Sequence, residues 1–126
     1  MKDPRMDNPS NPSASLIGAW ELISGSYVGD DDVIIDYQKA AITSLKILTN
    51  GKYCFITTAQ GAFYAAGGGD YIAENGQYIE IPSLASLSDM IGKRFEFQYQ
   101  LERDIWTNSR WRNGVRVEHE VWKRVR

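Results

Sequence analysis

Apolar and polar residues alternate with a period of two through most of this chain, the pattern of strands with one buried face. It is clearest at 93–101, where Phe95, Phe97, Tyr99 and Leu101 alternate with Arg94, Glu96, Gln98 and Gln100. Asn-Gly occurs at Asn50-Gly51, Asn75-Gly76 and Asn113-Gly114. Both central residues of a type I′ turn need positive φ, which this pair adopts at low steric cost. The flanks predict hairpins joining 43–49 to 52–58, 70–74 to 77–81 and 104–112 to 115–125. A first strand is expected at 16–28, and a short one at 62–66 ahead of Gly67-Gly68-Gly69, itself a turn or bulge. Helix is scarce: one short helix is expected at 83–91, capped by Ser83 and stopped by Gly92, with a further turn within 30–41. About eight to ten short strands in sequence order predict an all-β fold, an up-and-down antiparallel β-barrel that leaves no free edge. A two-sheet sandwich is the alternative. Pro4, Pro9 and Pro12 among Asp, Asn and Ser predict a disordered tail over 1–15, leaving 16–126 as the barrel domain.

Hairpin geometry then assigns faces. A two-residue turn at Asn113-Gly114 sets Arg110 opposite Val117, Asn108 opposite His119 and Trp106 opposite Val121. A second turn at Glu102-Arg103 sets Tyr99 opposite Trp106, Phe97 opposite Asn108 and Phe95 opposite Arg110. One face of this three-stranded sheet thus holds Phe95, Phe97, Tyr99, Leu101, Trp106, Asn108, Arg110, Val117, His119 and Val121, and it is the expected interior. A slip of one residue would reverse the faces. The Asn50-Gly51 hairpin offers Leu45, Ile47, Cys54 and Ile56 as the better core face, with Cys54 a small buried hydrophobe; Lys46, Leu48, Tyr53 and Phe55 lie opposite. Ile105, Trp111 and Trp122 fall on the outer face of the last hairpin, which suggests a homodimer interface or a patch covered within the monomer.

Composition removes whole classes of function. The chain has 126 residues, enough for one domain, with 14 Lys+Arg against 16 Asp+Glu. A sequence-independent nucleic-acid binder needs a cation surplus that is missing here. No apolar run approaches the roughly 18 residues of a membrane helix, so membrane insertion is not expected. One cysteine and one histidine leave no intramolecular disulfide, no Cys-rich or His-His metal site and no His-paired acid and base. No cofactor is implied. Met1-Lys2 is not followed by an apolar signal segment, so the chain reads either as cytoplasmic or as the mature part of an exported protein. Glu118-His119-Glu120 cannot converge on a metal from one strand, because the glutamates face away from the histidine. Asp30-Asp31-Asp32 with Asp36 lacks EF-hand spacing, and the triple glycine precedes a strand rather than a phosphate-binding helix.

Several short motifs fall in a familiar order. Gly18-Ala19-Trp20 heads the first strand, followed by Lys46-Ile-Leu-Thr-Asn-Gly-Lys52, Gly68-Gly-Asp-Tyr71, Ile91-Gly-Lys93 with Phe95 and Phe97, and Glu120-Val-Trp-Lys-Arg-Val125. From 16 to 126 this series resembles the small bacterial lipocalin-like domains of the calycin superfamily, common in Bacteroidetes and often of unknown function. The resemblance implies a tryptophan, Trp20, plugging the barrel base under a basic residue near the C-terminus. Arg124 is the matching candidate, with Lys123 and Arg126 as alternatives. The chain is shorter than most lipocalins, has no disulfide and lacks the Arg-x-Tyr pair of fatty-acid-binding proteins, since Glu120 and Trp122 stand there. The fold is implied; the fatty-acid specificity is not.

Together these readings predict a non-enzymatic barrel binding a small, largely apolar ligand with a polar or anionic end. Arg110 would hold that end, with Asn108, His119 and Tyr99 orienting it and Phe95, Phe97 and Trp106 as apolar wall. The plainer alternative leaves Arg110 at the mouth facing solvent and His119 as a wall residue. Two rivals stand beside it: a filled barrel acting as an interaction module through the Trp111/Trp122 face, and an enzyme using His119 and Arg110 on a bound substrate.

Overall fold

The computed structural model describes residues 16–126; the expected tail at 1–15 lies outside them. Among these residues nine strands form one antiparallel sheet: β1 (Gly18–Val28), β2 (Ile34–Asp36), β3 (Ile42–Leu48), β4 (Lys52–Ala59), β5 (Ala62–Glu74), β6 (Gln77–Ala85), β7 (Phe95–Glu102), β8 (Ile105–Arg112) and β9 (Val115–Arg124). Neighbours in sequence pair from β3 to β9, while β1 pairs with β3 on one edge and with β9 on the other. That closes an eight-stranded barrel, and β2 adds only to the far end of β1, from Ser26 to Val28. No described helix is long and apolar enough to cross a membrane.

Turn chemistry sets most of this architecture. Asn75-Gly76 and Asn113-Gly114 both carry positive φ on each residue, as a type I′ turn requires. At Asn50-Gly51 only Gly51 does so, yet Leu48 still faces Tyr53 in the expected register. A fourth tight turn, Gln60-Gly61 with φ of 53° and 82°, joins β4 to β5 without an Asn-Gly signal. The strand expected at 62–66 and the one at 70–74 are a single strand, β5, which runs through the triple glycine. A Cβ on Gly69 would sit 2.2 Å from the Ile81 carbonyl oxygen, so only glycine permits the β6 backbone to come this close at its bulge. Gly25 has the same role where β1 bends against β9: its φ is 133°, and a Cβ would meet the His119 carbonyl oxygen at 2.0 Å. Of the helix expected at 83–91 only a last, 3-10 turn forms, Ser88–Met90. Leu84 and Ala85 instead pair with Gly68 and Gly67.

Two face assignments reverse. In β3 and β4 the interior receives Lys46, Leu48, Tyr53 and Phe55, while Leu45, Ile47 and Ile56 lie about half exposed and Cys54 is exposed rather than buried. Counting aliphatics favours the wrong side here. The long and aromatic side chains fill the barrel, and Lys46 enters because Glu80 meets it there. In the last hairpin a bulge falls between Arg110 and Trp111, so Val117 is skipped and Arg110 faces Glu118, Asn108 faces Glu120 and Trp106 faces Trp122. Beyond the bulge Glu118, Glu120 and Trp122 point inward, and His119 and Val121 point outward. Trp122 is 2% exposed, so it is not part of an outer patch; Trp111 remains half exposed. The β7–β8 turn is Arg103-Asp104 rather than Glu102-Arg103. This moves the register by two residues and preserves the inward face of Phe95, Phe97, Tyr99, Leu101, Trp106, Asn108 and Arg110.

The base of the barrel is packed solid. Trp106 is the hub, edge-on to Trp20 at 5.3 Å and to Tyr78 at 4.9 Å and stacked on Trp122 at 5.9 Å between ring centres. Trp20 donates its indole N–H to the Leu16 carbonyl at 2.9 Å. The Arg124 guanidinium lies 4.3 Å from the Trp20 ring centre, donates to the Ile17 carbonyl at 3.0 Å and pairs with Asp104 at 3.2 Å. Of the three basic residues considered for this place, Arg124 takes it.

Candidate functional site

Above the aromatic base the barrel is hollow, with a cavity of about 400 Å³. Phe55, Phe95, Phe97 and Leu22 form apolar wall, Tyr27 and Tyr37 close one side, and Leu87, Met90 and Lys93 of the β6–β7 connection reach over it. The position of each expected site residue follows from the registers above. Arg110, Phe95 and Phe97 line the cavity. Trp106 and Asn108 are fully buried in the base below it, and Tyr99 packs against that same core. His119 sits on the outer face, its Nδ1 3.2 Å from Ser109 Oγ, and so cannot act with Arg110 on anything inside the barrel. Burial first, then Arg116, lowers the pKa of this imidazole.

Sequence reasoning missed the charged residues that share the cavity with Arg110. Lys46 Nζ lies 2.5 Å from Glu80 Oε2, and the Tyr78 hydroxyl donates to that same oxygen at 2.7 Å. The ammonium also lies within 4.7–5.9 Å of the ring centres of Trp122, Trp106, Tyr78 and Tyr53. Burial opposes this charge, but Glu80 and then Glu120 outweigh it and hold the lysine above its ordinary range. On the opposite wall Arg110 Nε donates to Glu118 Oε1 at 2.9 Å, with the guanidinium over the Phe95 ring at 5.7 Å. Glu120 accepts from Trp122 Nε1 at 3.0 Å and Asn108 Nδ2 at 3.4 Å, and its carboxyl also shares a hydrogen bond with Glu118. The polar floor therefore combines three carboxyl groups with two cations. A signal for it exists in the sequence: Lys46 and Glu80 each sit two residues from a large inward side chain, Leu48 and Tyr78. Among the described residues no group of three or more His, Cys, Asp or Glu is placed to hold a metal ion.

Crowding of carboxylates has a titration consequence. Burial, and then the neighbouring Glu120, push the Glu118 carboxyl up to about 8 against the pull of Arg110. The folded protein keeps a proton that the unfolded chain releases near pH 4.5, so stability falls as pH rises between those values. The other groups facing this pair are Arg110 from β8, Lys46 from β3, Glu80 from β6, Tyr27 from β1 and Tyr37 from the turn after β2. Thermal unfolding at pH 5, 6.5 and 8 is expected to show a decline that is clearly shallower in Glu120→Gln. Parallel curves for the two proteins would contradict the coupling.

Comparison with known proteins adds no assignment: no protein-family model, no curated protein and no solved structure matches the chain.

Proposed function

We propose that this barrel is a non-enzymatic carrier or sensor that holds a small, largely apolar molecule with a polar end. The observation that carries the reading is the cavity itself: about 400 Å³ of space over a solid aromatic base, with phenyl walls and a cluster of polar groups at its floor. Such a division between apolar wall and a few fixed polar groups suits an amphipathic guest. The apolar part packs against Phe55, Phe95 and Phe97, and the polar end meets the Lys46–Glu80, Arg110–Glu118 and Glu120 network. Membership among lipocalin-like barrels is part of the same proposal. It is supported by the Gly18-x-Trp20 strand start and by Arg124 lying over the Trp20 indole.

Titration with the neutral, environment-sensitive dye N-phenylnaphthylamine tests this. Wild-type protein is expected to bind one equivalent with a large rise in fluorescence. Ala65→Trp, which places an indole in the cavity from a buried wall position, is expected to weaken binding at least about tenfold while the protein stays folded. Equal binding by both proteins, or none by a folded wild type, would refute a ligand cavity.

A further inference from the structure

The two ends of the barrel are built from different side chains. At the base the turns Asn50-Gly51, Asn75-Gly76 and Arg103-Asp104 are polar, and the exposed large apolar residues there are Ile17 and Val125. The mouth is the reverse. Phe63 and Tyr64 follow the β4–β5 turn, Leu87 and Ile91 lie on the β6–β7 connection, and Trp111 and Val115 flank the β8–β9 turn; all six are 42–65% exposed. Phe63, Tyr64 and Trp111 are the exposed aromatic rings among the described residues, and all three belong to this one end. Tyr64 and Leu87 also line the cavity, so the apolar rim runs on into the opening. Exposed apolar surface gathered in this way marks a contact site rather than ordinary surface.

We propose that the mouth end docks on an anionic lipid surface, with these side chains in the headgroup layer and the cavity opening against the bilayer. Charge supports this choice of partner. Lys93 and Arg94 on the β6–β7 connection and Arg112 and Arg116 beside the β8–β9 turn are all exposed, and Asp89 is the one carboxylate within these tips. Arg94 has Glu96 at 3.7 Å; among the described residues Lys93, Arg112 and Arg116 have no ion-pair partner. Rings and aliphatic groups interleaved with cations suit a bilayer interface, where the apolar groups enter the acyl boundary and the cations meet lipid phosphate. A protein partner calls instead for one continuous packed patch, whereas here the apolar residues sit on separate tips around an opening. The remaining mouth connection carries Asp30-Asp31-Asp32, so the barrel seats tilted, with that connection farthest from the anionic surface. The outer wall of β3 and β4 also exposes Leu45, Ile47 and Ile56, but it has no exposed ring, and Lys52 there is paired with Asp70. Docking needs no guest. Joined to the ligand reading it gives an apolar guest a route between bilayer and barrel that avoids water, and only that route rests on the reading above.

Co-sedimentation with vesicles of phosphatidylcholine containing about 30% phosphatidylserine, and with phosphatidylcholine alone, tests this. Wild-type protein is expected to bind the anionic vesicles at least about tenfold more tightly than the neutral ones, and less tightly as salt rises. Phe63→Ser/Trp111→Ser and Arg112→Gln/Arg116→Gln are each expected to weaken that binding at least about tenfold. Ile47→Ser/Ile56→Ser on the outer wall is expected to leave it unchanged. All three variants alter exposed positions, and denaturation midpoints check that each protein is folded. Folded wild type that sediments with neither vesicle overturns the proposal, as does equal binding to both vesicles or binding that the rim variants retain. Self-association that Phe63→Ser/Trp111→Ser abolishes, without vesicle binding, also overturns it and assigns the rim to a second copy of the chain. Titration with N-phenylnaphthylamine in the absence of vesicles reports on the cavity separately, so the docking and the ligand reading fail independently.

Discussion

Replacing Glu80 by glutamine is expected to cost about 3–5 kcal/mol of folding stability, one of the two largest single-residue effects in this molecule. The reason is what it leaves behind. Lys46 is 4% exposed, Glu80 is its only ion-pair partner among the described residues, and the surrounding rings cannot replace a full negative charge. Without that charge the burial that already opposes the Lys46 ammonium meets only the more weakly acting Glu120 and Glu118, and the lysine pKa is expected to fall below its unfolded value. A depressed lysine loses stability as pH falls, so the damage in Glu80→Gln is expected to be greater at pH 6 than at pH 10. The double variant Lys46→Met/Glu80→Leu is expected to recover most of the loss, because two apolar side chains of similar volume need no partner. Recovery stops short of complete because the Tyr78 hydroxyl then lacks its acceptor, at about 1–3 kcal/mol. Chemical denaturation of wild type, both single variants and the double variant measures this cycle. A double variant no more stable than Glu80→Gln would mean that the pair is not the source of the loss.

Truncating Trp20 to alanine is expected to cost a similar 3–5 kcal/mol through a different mechanism. Its indole is fully buried, touches Trp106 edge-on, donates to Leu16 and carries the Arg124 guanidinium on its face. Removal leaves a void in the one part of the barrel that is packed solid, where β1, β3 and β9 meet. Trp20→Phe keeps the ring face under Arg124 and is expected to lose only about half as much. Denaturation midpoints of the two variants test this. Equal losses would show that the indole N–H bond to Leu16 dominates rather than ring volume.

The sequence reveals the barrel more readily than its contents, and the reason is physical. Backbone demands are local: Asn75-Gly76 and Asn113-Gly114 mark their turns because few other pairs tolerate positive φ twice, and the β7 alternation fixes its inward phenyl groups. The bulge between Arg110 and Trp111 has no such marker, since neither residue is glycine or proline, yet it turns over every residue from Glu118 onward. That single step exchanges His119 for Glu118 and Glu120 in the cavity and moves Trp122 from the surface to the interior. The β3–β4 reversal has another cause. Leu45, Ile47 and Ile56 make the outer side look apolar, but the interior is selected by volume and by a partner for Lys46 lying 34 residues away. A buried charge pair is invisible to a pattern that scores each strand alone.

The claim at the centre of this account is that a guest enters the barrel, and its position can be read directly. Backbone amide shifts of nitrogen-15-labelled protein, followed during titration with N-phenylnaphthylamine, report where the dye sits. The expected changes gather at Ser44, Thr57, Ala65, Phe97 and Glu118, around the inner wall. Changes confined to Cys54, Ser83 and Leu84, which line a groove on the outer wall, would contradict the account.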